Sequence, residues 1–306
     1  MTKKAFVFPG QGSQSVGMLS ELAEDHPQVK DTFKEASEVL GYDLWELIQT
    51  DEDGKLNQTH ITQPALLAAS VAVWRVLQEK GVDTPDYLAG HSLGEYSALV
   101  CAGVIEFKDA ISLVEARGQF MQEAVPSGEG GMYAIIGLDD DKIREICANV
   151  EAELGEVVSA VNYNSPGQVV IAGTANASQR AAEQCKEAGA KRALPLSVSA
   201  PSHCALMQPA ADKLAQRLNA LTFATPTIPV INNVDVMALS SQEDIKDALV
   251  RQLYSPVRWT ETVQSLAEQG VTEMWEIGPG KVLTGLAKRI NKSIDAKAIN
   301  QPSDLG

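Results

Sequence analysis

Tyr87-Leu88-Ala89-Gly90-His91-Ser92-Leu93-Gly94-Glu95-Tyr96 runs from a short apolar strand through a GxSxG pattern straight into a helix-forming segment. This order predicts a nucleophile elbow, a strained strand-to-helix turn that presents the Ser92 hydroxyl at its tip. Glycine at 90 and 94 fits that geometry, because a side chain two residues from the serine would collide with neighbouring backbone. The Leu93 N–H, in the first turn of the helix that follows, is expected to face the same space, where free amides and the helix dipole favour negative charge. Three fixed positions in five recur by chance, so the elbow has to be weighed with the rest of the chain.

Upstream, residues 4–8 read as a buried strand that stops at Pro9 and feeds the loop Gly10-Gln11-Gly12-Ser13-Gln14-Ser15-Val16-Gly17. No nucleotide motif is present: GxGxxG requires glycine where Ser15 stands, and a phosphate loop requires lysine where Met18 stands. Gln11, between two glycines, has an accessible backbone amide. A second oxyanion donor is one use for it, and a plain structural turn is the other. A helical stretch is expected over 29–40. Thr62-Gln63-Pro64 reads as the opening of an apolar helix over 65–80 that Gly81 closes.

Downstream of the elbow, Asp109 is expected to cap a helix reaching about residue 125. Its apolar stripe contains Ala110, Val114, Arg117 and Met121, so a guanidinium lies on the face that should be buried. A buried unpaired charge is costly, which leaves a structural ion pair, a snorkelling side chain, or a guanidinium held to bind a ligand carboxylate. From Ser127-Gly128-Glu129-Gly130-Gly131 the texture changes. Strands over 133–138, 156–162, 168–172 and 192–198, with helices over 140–150 and 175–188, give the order βαββαβ of a ferredoxin-like unit. The expected division is a large α/β domain with a parallel sheet, 1–127 and 199–306, and an inserted small ferredoxin-like subdomain, 128–198. Alternating strand and helix resume after it, with a strand over 229–232, helices over 243–252 and 259–269, a strand over 272–277 and a last helix over 282–289.

The chain has four histidines. His26 and His60 lie in polar segments and His91 belongs to the elbow. His203, in Ser199-Ala200-Pro201-Ser202-His203-Cys204, follows the serine and is the candidate general base, with Cys204 read as inert packing. The four cysteines are scattered, with no CxxC pair and no histidine at ligand spacing, so no disulfide framework, metal or cofactor is expected. A net charge of −15 over 306 residues argues against nucleic acid and anionic membranes as partners. No membrane span or signal peptide is read, and the chain is expected to be cytoplasmic.

Seven motifs in order, FPGQGSQ (8–14), TQPAL (62–66), GHSLGE (90–95), the Arg117 helix, NYNSPGQVVIAG (162–173), SAPSHCALM (199–207) and EIGPGKVL (276–283), resemble those of bacterial malonyl-CoA:acyl carrier protein transacylases over nearly the whole chain. The resemblance implies an α/β-hydrolase-like large domain and transfer of malonyl from malonyl-CoA to the phosphopantetheine thiol of holo acyl carrier protein through a malonyl-serine. It implies Ser92 as nucleophile, His203 as base, the Gln11 and Leu93 amides as oxyanion donors, and Gln252 as the residue whose backbone carbonyl orients the histidine. It implies Arg117 as the malonyl-carboxylate ligand, with Gln63, Asn162, His91 and Met121 completing the substrate pocket. A serine esterase or thioesterase is disfavoured because about a hundred residues follow His203. A non-catalytic carrier-binding module would have no reason to keep Ser92, His203 and Arg117 together. Carrier proteins of this kind are acidic, so docking is expected at basic residues, with Lys191, Arg192, Lys288 and Arg289 as candidates and Lys186 and Lys281 behind them.

Overall fold

In the computed structural model, which describes residues 2–198 and 200–306, the apolar run at the N-terminus is the central strand of a parallel sheet. The first part of the chain comprises β1 (Lys3–Phe8), α1 (Ser20–Asp25), α2 (Pro27–Leu40), α3 (Leu44–Thr50), α4 (Thr59–Glu79), β2 (Tyr87–Gly90), α5 (Gly94–Cys101) and α6 (Phe107–Ala124). Then come β3 (Gly130–Ile136), α7 (Asp140–Leu154), β4 (Val158–Ser165), β5 (Gln168–Thr174), α8 (Ala175–Glu187) and β6 (Arg192–Pro195). The last part comprises α9 (Gln208–Asn219), β7 (Val230–Ile231), α10 (Gln242–Gln252), α11 (Trp259–Glu268), β8 (Val271–Ile277), α12 (Val282–Ile290) and β9 (Asp295–Ile299).

The larger sheet has the order β7-β2-β1-β8-β9 with every pairing parallel. Such a sheet is covered on both faces, which explains why Ala5, Phe6, Val7 and Phe8 are all buried. Phe6 and Phe8 enter the core shared with α2, α4, α5 and α6. Ala5 and Val7 enter the opposite core, shared with α11 and α12. The chain steps outward from β1 to β2 on one side and from β8 to β9 on the other, so a switch point lies between the carboxyl ends of β1 and β8, where ligands bind in open α/β sheets. Phe8 pairs with Gly90, so the 9–17 loop and the serine turn emerge side by side.

The second sheet is antiparallel, in the order β4-β5-β3-β6, and is the βαββαβ unit expected. Its helices α7 and α8 pack on one face. The other face sets Met132, Val161, Val170 and Ala172 against Cys204 of the large sheet's part of the chain. Backbone bonds Tyr163 N–H to Val257 O (3.0 Å) and Val257 N–H to Val161 O (2.8 Å) stitch β4 to the segment before α11. The fold is therefore α/β, a parallel sheet plus a separate antiparallel sheet. Ser199, at which the expected division resumes the large unit, lies outside the described residues.

Several expected boundaries move. Helix α4 starts at Thr59, not after Thr62, and Pro64 lies inside it. Proline removes one helical hydrogen bond there, and packing compensates: every residue from Ile61 to Val73 is buried. The Gly118 backbone of α6 lies so close that a Cβ would stand 2.6 Å from His60 Cα. The cap of α6 is Glu106, and Asp109 falls in its first turn instead. Strand β6 ends at Pro195, because residues 196–198 leave the sheet for the site described next. Helices α1 and α3 and strand β9 are additional to the sequence expectation.

Candidate active site

Ser92 has φ 54°, the left-handed conformation an elbow imposes, and it joins β2 to α5. The glycines beside it are sterically required: a Cβ on Gly90 would lie 1.9 Å from Gly94 C, and one on Gly94 would lie 2.1 Å from Phe8 O. The turn aims the serine at the loop before α9. There His203, also at positive φ (63°), meets Ser92 Oγ with Nε2 at 2.8 Å. His203 Nδ1 lies 2.7 Å from the backbone carbonyl of Gln252 at the end of α10. A carbonyl can only accept, so Nδ1 carries the proton and Nε2 is left as the acceptor for the serine hydroxyl. Burial, then the charge of Arg117, push the His203 pKa down to about 3, against the opposing effect of the Gln252 carbonyl. The histidine is neutral and ready to act as a base.

Arg117 follows the stripe anticipated for α6 and is 1% exposed. One terminal nitrogen donates to Gln63 Oε1 (2.8 Å), and the other donates to Gln252 Oε1 (2.9 Å) and Ser92 Oγ (3.3 Å). The guanidinium sits 5.3 Å over the Tyr96 ring, and desolvation lowers its pKa. Among the described residues no carboxylate lies in salt-bridge contact with it. Glu95 is linked to it through a glutamine: Gln252 Nε2 donates to Glu95 Oε2 at 3.0 Å. Burial pushes the Glu95 carboxyl up to about 7, opposed by the donors from Asn233 and Gln252 and by Arg117. A structural ion pair is thus replaced by a guanidinium held on neutral amides, with its charge available to an incoming carboxylate.

A cavity of about 440 Å³ opens above these groups. It brings together Gln11, His91, Ser92, Leu93, Arg117, Met121, Asn162 and His203, together with Leu196, Ser197 and Val198. The amides of Gln11 and Leu93 donate to no group among the described residues. His91 Nε2 lies 2.8 Å from Asn164 Oδ1, its ring 5.7 Å from that of Trp259, and burial lowers its pKa. Among the described residues Asn162 Oδ1 is buried without a partner, an acceptor available to a ligand donor. One expected pocket residue, Gln63, does not line the cavity. Gln63 and Gln252 lie buried behind Arg117, each accepting from its guanidinium, and Gln63 also donates to Met121 Sδ at 3.4 Å. Cys204 is buried with its pKa pushed up to about 11, chiefly by desolvation, which makes it inert beside the base.

A larger cavity, about 830 Å³, lies at Asp139–Asp141, Arg144, Tyr163, Arg258 and Glu261. Two ion pairs line it, Arg144 with Asp141 and Arg258 with Glu261, and among the described residues its lining holds no serine or histidine. The chemistry belongs to the smaller cavity. Sequence reading passes over Asn233, which touches the elbow from beneath, and the 196–198 segment at the cavity mouth. The sequence signal available for Asn233 was a polar pair, Asn232-Asn233, ending an apolar strand. Among the described residues no helix is long and apolar enough to cross a membrane.

Residues 5–301 match the acyl transferase domain family. The chain is 63% identical over 305 residues to the malonyl CoA-acyl carrier protein transacylase of Escherichia coli K12, covering 100% of this chain and 98% of that one. It is 49% identical to the protein of the same name from Bacillus subtilis, covering 100% and 96%. A crystal structure of an acyl carrier protein S-malonyltransferase from Vibrio cholerae superposes with a TM-score of 0.97 at 65% identity, covering 99% of both chains. A malonyl-transacylase solved in complex with a type II PKS acyl-carrier protein superposes with a TM-score of 0.98 at 62% identity, covering 99% and 98%. With identities of this size along its whole length, the chain belongs to the acyl transferase family and, within it, to the malonyl CoA-acyl carrier protein transacylases.

Proposed function

We propose that Ser92, His203, Arg117 and the amides of Gln11 and Leu93 transfer malonyl from malonyl-CoA to the pantetheine thiol of holo acyl carrier protein in two half-reactions. His203 Nε2 takes the Ser92 proton while Oγ bonds to the thioester carbonyl carbon. The carbonyl oxygen becomes an oxyanion that the Gln11 and Leu93 amides stabilise. Collapse breaks the C–S bond, His203 returns its proton to the departing CoA thiolate, and malonyl-serine remains. In the second half the pantetheine thiol gives its proton to His203 and attacks the ester, and Ser92 Oγ leaves with that proton. The observation that carries this reading is the buried Arg117, free of carboxylate contact and 3.3 Å from the nucleophile, which suits an acyl group ending in a carboxylate. Asn162, His91 and Met121 shape the space around the acyl chain, and Gln63 and Gln252 hold the guanidinium in its orientation.

Malonyl preference is the direct test. Each charge-assisted hydrogen bond contributes about 1.5–3 kcal/mol, or roughly ten- to more than a hundredfold. Arg117→Ala is expected to lower malonyl transfer by that factor more than acetyl transfer. The ratio is insensitive to partial loss of folded protein, and equal losses for the two acyl groups would refute carboxylate recognition.

The organisation into a large unit, 1–127 with 199–306, and an inserted unit, 128–198, is part of the same proposal, as is a cytoplasmic location. For docking, Lys191 and Arg192 are exposed at the start of edge strand β6, which runs into the 196–198 mouth of the cavity. Lys288 is exposed on α12, where Arg289 is engaged with Gln168 Oε1 at 2.8 Å, which makes it the weaker candidate. Lys186 donates to the Lys191 carbonyl (3.2 Å), and Lys281 lies at a separate cavity near Ser15–Glu21. Reversing charge at both Lys191 and Arg192 is expected to raise KM for the carrier protein several-fold at low salt, with the effect fading as salt rises. Free pantetheine as acceptor should be unaffected. Parallel losses with both acceptors would move docking to the Lys288 side.

A further inference from the structure

A strand-to-helix turn leaves the Ser92 N–H with no partner in sheet or helix, and a buried amide left unsatisfied is costly. Ser92, a non-glycine residue in the left-handed region at φ 54°, adds strain that surrounding structure has to hold. Asn233, fully buried in the loop after β7, meets both demands. Its Oδ1 accepts from the Ser92 N–H at 2.8 Å and its Nδ2 donates to the Gly90 carbonyl at 2.6 Å, so one carboxamide spans the backbone on either side of His91. The two functions required, an acceptor and a donor on one short side chain, are those of asparagine.

Asn233 is itself held. Its N–H donates to Glu95 Oε2 at 3.0 Å, and its carbonyl accepts from the Arg258 N–H at 3.2 Å. Asp235, two residues on, makes a two-pronged pair with Arg251 of α10, both contacts at 2.9 Å. The next residue is Gln252, whose carbonyl orients His203. The Gln252 Nε2 donates to Glu95 Oε2 (3.0 Å), Asn233 Oδ1 (3.2 Å) and Ser92 O (3.0 Å). Nucleophile and base come from segments 111 residues apart, and this cluster is the physical link between their backbones.

We propose that Asn233 is a positioning residue for malonyl transfer: by clasping Gly90 and Ser92 it locks the elbow so that Ser92 Oγ stays in register with His203 Nε2. The proposal rests on Ser92 being the nucleophile. Asn233→Ala removes both contacts. Asn233→Asp keeps the acceptor for Ser92 but sets an oxygen against the Gly90 carbonyl. A misplacement of about 1 Å can cost about 100-fold in rate. Single-turnover acylation of Ser92 by malonyl-CoA, referred to the folded fraction, is expected to slow by that order in Asn233→Ala and by less in Asn233→Asp. KM for malonyl-CoA should stay within about threefold, since Arg117 is not touched. A small uncharged phosphonofluoridate, which needs no arginine, should label Ser92 more slowly in the variants by a similar factor. In the unsubstituted protein the Ser92 amide should be protected from hydrogen exchange. A wild-type acylation rate in either folded variant, or a raised KM with kcat unchanged, overturns the proposal. So does rapid exchange of the Ser92 amide in the unsubstituted protein, a measurement that stands even where neither variant folds. Failure of the probe to label Ser92 in the unsubstituted protein would instead sink the assignment of the nucleophile.

Discussion

Ser92→Ala is expected to lose both malonyl transfer and the covalent malonyl adduct, with a fall in kcat on the order of 10⁶-fold, as for nucleophilic serines that act as a unit with their base. No substitute is at hand. Among the described residues the thiol nearest the base is Cys204, whose pKa is pushed up to about 11 by burial and whose Sγ donates to the Pro201 carbonyl at 3.2 Å. Alanine leaves the fold in place, because the φ of 54° at this position burdens serine and alanine alike and the Asn233 contacts are to backbone. The melting temperature should therefore stay close to that of the unsubstituted enzyme while activity disappears. Mass spectrometry of peptides after treatment with malonyl-CoA is the check. A malonyl label on Cys204 or Ser97 in the unsubstituted enzyme would show that the nucleophile is misassigned.

His203→Ala is expected to cost less, about 10²- to 10⁴-fold, the range for a positioned general base, so a slow adduct on Ser92 should remain detectable. The pH dependence carries a second signature. With its pKa held down to about 3, His203 is a neutral base in the folded enzyme across the whole mild acid range. The acid limb of single-turnover acylation should fall near pH 3 to 4 rather than near the ordinary histidine value of 6.5. Stability behaves differently from activity. In the unfolded chain the same histidine titrates at about 6.5, so between that value and about 3 the unfolded state binds the extra proton. The stabilisation is complete above 6.5 and is lost progressively as pH falls towards 3. His203→Ala should remove that part of the acid destabilisation, giving a flatter dependence of melting temperature on pH below 6.5. A rate profile that bends at 6.5 in the folded enzyme would mean that the imidazole is far better solvated than its 3% exposure implies.

Much of the catalytic apparatus follows from rules that act over a few residues. The elbow is local: an apolar strand, two glycines flanking a serine, and a helix all fall between Tyr87 and Cys101, and covalent geometry decides the rest. Arg117 is legible for the same reason, because a spacing of three and four residues along a helix sets its face whatever lies opposite. The βαββαβ unit is read from alternation and turn residues, and the structure changes its strand ends and carries its first helix on to Leu154.

Partners supplied from far along the chain are a different matter. Neither spacing nor residue type announces that the Gln252 carbonyl would meet His203 Nδ1, since every residue carries the same carbonyl; family resemblance alone pointed to it. Its side chain, by contrast, turned out to brace Arg117, Glu95 and Ser92 together. Asn233 reaches the serine turn across 141 residues, and Gln63 faces Arg117 rather than the cavity. Helix α4 extends back to Thr59 through a proline that local propensity treats as a starting point, because the packing of α6 at Gly118 holds the extra turn. Backbone conformation and side-chain periodicity are set by neighbours in sequence, so motifs and faces could be read from the chain alone. Hydrogen-bond partners, desolvation and the pKa of the base depend on which distant segments the folded core presses together, and those only the tertiary structure decides.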